Sequence, residues 1–170
     1  MFAPFLWAVL NRIMANIEHI NVNLYGGVPK YSVPCAKILT EGVEGDKQIS
    51  SNHGGENRAV LLYSMERIEE LQQAKHPITP GSTGENLTIR GLDWSCLKEG
   101  VLLQIGEVKL QLTGMASPCP GIKDSFFDFA WSVCRDRWCT RVITEGMVNV
   151  GDEVSLLGAY SRLVVDEEWW

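Results

Sequence analysis

The chain has 170 residues, enough for one domain that buries roughly two-thirds of its unfolded surface. It carries 45% apolar and 21% charged residues, and 15 basic against 21 acidic side chains leave a net charge of −6. That balance argues against bulk nucleic-acid binding, which needs clustered Lys and Arg, but it leaves room for a small anion in a local positive pocket.

In chain order, "MFAPFLWAVLNRI" comes first. Its apolar run is too short to span a bilayer, and Arg12 follows the run where a secretory signal would place its charge ahead. Residues 1–13 are read as an N-terminal extension before a single domain over 14–170; an amphipathic helix or a targeting segment is the alternative.

"IEHINVNL" then reads as a first strand, alternating imperfectly through Ile17, Ile20, Val22 and Leu24. "AKILTEGVEGD" is a strand followed by a double-glycine turn. "RAVLLYS" is a continuous apolar run, as expected of a strand buried on both faces. Ser64 is placed to cap a helix whose first turns carry Glu66, Glu69 and Glu70 and whose buried face is Met65, Ile68 and Leu71; "HPITPG" ends it.

Beyond the helix, "NLTI", "GVLLQIG", "EVKLQLTG", "TRVITEG" and "EVSLLG" are further strands, with a tight hairpin turn at Gly106-Glu107. The helices that a parallel α/β sheet would need between most strand pairs are missing. The fold class is therefore mostly β, a closed or nearly closed β-barrel with one or two surface helices.

Three loops could carry chemistry. At His53-Gly54-Gly55, paired glycines allow positive φ and let backbone N–H groups converge on a ligand, and Arg58 follows to grip a phosphate or carboxylate. The same residues also suit the polar tip of a surface hairpin. "TPGSTGENLTI" sets Gly84, Glu85 and Asn86 in a polar loop before a strand; no Gly-Lys-Ser/Thr follows, so it is not a phosphate loop of the Walker type. In "SPCPGI", Pro118 and Pro120 stiffen the loop that presents Cys119. This thiol could be a nucleophile, a sulfur acceptor or a soft-metal ligand, activated through the fold by His53, Arg58 or Lys123; an inert loop cysteine is the alternative.

Five cysteines are an odd number, so at least one thiol stays free, and no disulfide framework is apparent. A reducing cytoplasm is expected. Cys134 and Cys139 are too widely spaced for a zinc knuckle, and Cys96 and Cys139 lie beside apolar strand positions where shielding is expected.

Taken in order, "GVEGDKQ", "HGGENRAVLLYS", "PGSTGENLTIRGLDW", "LLQIGEVKLQLT" and "PCPG" resemble the MOSC domain, named for the C-terminal part of molybdenum cofactor sulfurases. The resemblance runs from about residue 37 to 122, with "TEGMVNVGDEV" as a terminal piece. It implies a barrel of the MOSC type, similar to that of pyruvate kinase. It also implies a molybdenum-pterin cofactor and a catalytic or metal-ligating role for Cys119, which carries sulfane sulfur or binds molybdenum. His53, Gly54, Gly55, Arg58, Gly84, Glu85 and Asn86 would line the same cleft.

Two departures qualify this. Many stand-alone relatives carry a basic residue just before the Pro-Cys pair, where this chain has Met115-Ala116-Ser117. No aminotransferase-like desulfurase region is present, so no pyridoxal-phosphate site is expected, and that cofactor is associated only at family level. A partner is then expected: a cysteine-desulfurase-like sulfur donor or an electron-transfer protein. The readings left open are a sulfur carrier or sulfurtransferase, a molybdenum-dependent redox enzyme, and a non-enzymatic cofactor-binding module.

Overall fold

The computed structural model describes residues 14–49, 53–117, 133 and 135–157. Strands β1 (Ala15–Val22), β5 (Val60–Ser64), β6 (Leu87–Arg90), β7 (Leu102–Ile105), β8 (Val108–Met115), β9 (Arg137–Thr144) and β11 (Glu153–Leu157) pair in the order β11-β7-β8-β9-β5-β6-β1. Ala15 and Asn16 of β1 pair back onto Val154 and Glu153 of β11, which closes a seven-stranded barrel. Closure removes the free edges at which an open sheet would recruit other strands.

The short β2 (Tyr31–Val33) continues the sheet from the far end of β1. A second small sheet is not foreseen by counting strands. It pairs β3 (Cys35–Leu39) with both β4 (Gly42–Val43) and β10 (Gly146–Asn149).

β1 explains the imperfect alternation of its sequence. The register against β6 shifts between Ile17 and His19, so an extra residue is accommodated and both Ile17 and Ile20 reach the core at zero exposure. Leu24 is a correction: the alternation includes it in this strand, but β1 ends at Val22 and Leu24 is 68% exposed.

β5 is buried on both faces, as its apolar run implies. Leu62 points into the barrel core, while Tyr63 joins Met65, Ile68, Leu71, Ile78 and Val133 in a separate cluster under the helix. That helix, α1 (Met65–Gln73), is the one α-helix among the described residues that spans more than a turn. Ser64 caps it as expected, with its Oγ accepting from the Arg67 N–H at 3.1 Å. α1 links β5 to β6, which therefore run parallel; every other pairing in the large sheet is antiparallel. The Gly106-Glu107 turn joins Ile105 and Val108 across a two-residue hairpin, also as expected. No helix among the described residues is long and apolar enough to cross a membrane.

The loop 81–86 holds the barrel together internally. The Gly81 carbonyl accepts from the Lys30 N–H at 2.9 Å, and a Cβ at Gly81 would stand 2.2 Å from the Lys30 carbonyl oxygen, so only glycine permits this approach. Glu85 is fully buried, and its carboxyl accepts from Gly81 N–H at 2.6 Å, Thr83 Oγ1 at 2.6 Å and Thr88 Oγ1 at 3.2 Å. Asn86 accepts from the Leu61 N–H and donates to the Asn21 carbonyl and to Asp46 Oδ2. Asp46, from "GVEGDKQ", also pairs with Lys30 and accepts from the Asn23 N–H. Several of the most distinctive motif residues thus satisfy one another's polar groups in the interior.

Candidate functional site

The approach to β5 is a tight turn. Gly54 and Gly55 have φ of 91° and 77°, which L-residues with side chains rarely adopt, and they reverse the chain into the 3₁₀ turn Glu56–Arg58. Among the described residues, no heavy atom lies within 4 Å of where a Gly55 Cβ would stand.

Beside this turn is a cleft of about 460 Å³. One wall is Gly54, Glu56, Asn57 and Arg58; the other comes from β8 and β9 through Thr113, Gly114, Met115 and Cys139. Gly114 is the cross-strand partner of Cys139, next to a register shift after Leu112.

Cys139 is buried, at 8% exposure. Burial pushes its thiol above the ordinary range, and the guanidinium groups of Arg58 and Arg137 act in the opposite direction without overcoming it. The thiol is therefore protonated at neutral pH. Sequence reasoning missed this residue as part of a site. The pattern "RWCTRVI" signals a strand, but nothing in it reports that a glycine sits opposite.

Of the residues expected to share one cleft, the structure brings together Gly54 and Arg58, with Gly55 and His53 adjoining them in the chain and both exposed. Gly84, Glu85 and Asn86 do not line this cleft. Glu85 and Asn86 are committed to the internal bonds described above, which is why a polar loop that looked ligand-directed faces inward. Cys119 lies outside the described residues, as do Pro118, Pro120, Lys123 and Cys134.

Cys96 corrects an expectation. It is exposed, because "DWSC" folds as a short turn, Trp94–Cys96, that Asp93 caps by accepting from the Ser95 N–H at 3.1 Å. Its thiol is also raised, first by partial burial and then by the Asp93 charge. Cys35 is exposed, and Cys139 is shielded as expected. Among the described residues, no three His, Cys, Asp or Glu side chains gather as a metal site.

A labelling order follows among these three thiols. Iodoacetamide at pH 8 should modify Cys139 at least about tenfold more slowly than Cys35, since burial both blocks access and suppresses thiolate. Site-resolved mass spectrometry reads the rates. Equal rates at Cys139 and Cys35 would mean that the cleft wall is open to solvent.

Comparison with known proteins gives a consistent picture. The sequence pattern of the MOSC domain matches residues 50–155. The chain is 31% identical over 152 residues to protein YiiM of Escherichia coli strain K12, covering 82% of this chain and 67% of that protein. It is 30% identical over 130 residues to a Gibberella moniliformis protein named reductase, covering 68% of this chain and 22% of that one. The crystal structure of YiiM from Geobacillus stearothermophilus has the same fold, with a TM-score of 0.69 at 22% identity, over 84% of this chain and 75% of that one.

Proposed function

The chain belongs to the MOSC domain family, which is associated with molybdenum-cofactor binding, and from that premise we propose that it binds a molybdenum-pterin cofactor at the Arg58 cleft with Cys119 as the working thiol. The observation that carries this reading is the position of Met115. It ends β8 and lines the cleft, and Cys119 follows four residues later. Four extended residues reach at most about 14 Å, so the chain length between Met115 and Cys119 is compatible with the thiol serving this cleft.

The residues present suit the group. A cleft of about 460 Å³ is in the usual range for a small-molecule site. Arg58 offers a planar, permanently charged fork for a phosphate, and among the described residues nothing lies within 4 Å of the Gly55 Cβ position. Cys119 supplies a soft ligand, and Cys139, held protonated by burial, does not compete with it as a thiolate. When bound, the cofactor supplies oxygen- or electron-transfer chemistry at molybdenum.

Within this reading the chain acts either in sulfur transfer, with a cysteine-desulfurase-like donor, or in redox chemistry, with an electron-transfer partner. Similarity to the protein named reductase favours the redox branch. A reducing cytoplasm would keep the thiol available for either.

The test is elemental analysis of protein purified from a host that makes the cofactor. Stoichiometric molybdenum is expected. A cyanide-labile persulfide without metal would move the reading to the sulfur carrier, and neither would overturn it.

A further inference from the structure

Arg58 is the last residue of the short turn Glu56–Arg58. Two positive-φ glycines precede the turn, and its N-cap, Gly55, has no side chain with which to cap it. Within the turn, the Arg58 N–H donates to the Gly55 carbonyl at 3.0 Å. The barrel wall adds bonds on either side of Arg58: the Ala59 N–H donates to the Thr140 carbonyl at 2.9 Å, and a group of side-chain bonds converges on Asn57. Thr113 Oγ1 of β8 donates to the Asn57 carbonyl at 2.5 Å. Arg141 of β9 donates to Asn57 Oδ1 through Nε at 3.0 Å and also through Nη2. Arg141 Nε additionally lies 3.6 Å from Glu56 Oε1.

We infer that Arg141 and Thr113 are positioning residues: by clamping Asn57 from two neighbouring strands, they fix the direction in which Arg58 meets an anion in the cleft. This rests on the cleft reading proposed above and extends it to residues outside the motif that the glycine loop displays. Arg141 is not among the residues that line the cleft, so its contribution passes through Asn57. A three-residue turn after two glycines has many accessible conformations, and affinity for an anion depends on how few of them remain. One side chain gripping the Asn57 amide oxygen and another gripping its carbonyl remove that freedom one residue before Arg58.

The probe is inorganic phosphate, titrated calorimetrically at low ionic strength so that screening does not mask the effect. Arg141→Gln should weaken phosphate binding roughly tenfold, and Arg58→Ala should weaken it further. The double variant should bind no worse than Arg58→Ala alone, because Arg141 acts only through Arg58. Arg141→Lys should recover part of the loss by donating once to Asn57 Oδ1. Thr113→Val changes no charge, so a several-fold loss there separates positioning from long-range attraction. Both sites are at least partly exposed, and melting temperatures measured alongside confirm that each variant is folded at the temperature of titration.

Additive losses in the Arg58/Arg141 pair, or unchanged binding in both Arg141→Gln and Thr113→Val, would overturn the positioning role while leaving the cleft intact. Unchanged binding in Arg58→Ala would overturn the cleft reading itself, and the positioning role with it.

Discussion

Cys119→Ser is expected to abolish molybdenum retention and persulfide loading while moving the melting temperature by no more than about 2 °C. Serine keeps the size of the side chain but replaces a polarisable thiolate with a hard, high-pKa hydroxyl, which neither ligates a soft metal well nor holds sulfane sulfur. The pairings that close the barrel are all made between described residues, and residue 119 is not among these. Cys139→Ser is the matched control. Its thiol is protonated and part of the wall, so it should keep most of the metal. Metal content measured on both variants checks the assignment. Full loss in Cys139→Ser with retention in Cys119→Ser would transfer the role to Cys139.

Glu85→Ala should produce the largest loss of stability among the motif residues, about 3–5 kcal/mol. For a chain of this size that corresponds to a fall of roughly 10 °C in melting temperature. The reason is what remains after truncation. The Gly81 N–H and the hydroxyls of Thr83 and Thr88 all donate to this fully buried carboxyl, and removing it takes this acceptor from three buried donors. Glu85→Gln keeps acceptor capacity but brings an amide N–H₂ against a donor, so an intermediate loss is expected. Thermal melts of the two variants read this directly. If Glu85→Ala melted like the parent and instead lost ligand, the residue would belong to the site and not to the interior.

Glu85 also shows where sequence reasoning reaches its limit. A polar loop with glycines at both ends and a carboxylate in the middle looks the same whether it faces a ligand or the chain's own backbone. Here the Gly81 N–H and the Thr83 and Thr88 hydroxyls take the carboxylate inward, while the Gly81 carbonyl ties the same loop to the Lys30 N–H. Those partners are near in the chain, but whether the loop is buried depends on distant segments such as that of Lys30, which no local pattern announces. Cys96 failed for a smaller reason: apolar neighbours suggested shielding, but Asp93 could cap a turn, and the turn put the thiol outside.

Periodicity and punctuation were enough for the elements themselves. Val108, Leu110 and Leu112 alternate with Lys109 and Gln111 because one face of β8 meets the core and the other meets solvent. Ser64 opens α1, since a hydroxyl at that place satisfies an otherwise orphaned N–H. Paired glycines marked the turn before Arg58, because only positive φ allows the reversal. These signals are local, and local energetics determine them. The cleft is different: it exists because closing the barrel brings Gly114 opposite Cys139 and sets the wall of β8 and β9 against the Arg58 turn, more than fifty residues earlier in the chain. Strand register across a closed sheet decides such meetings, and register follows from burying every strand at once, a condition that no single stretch of sequence contains.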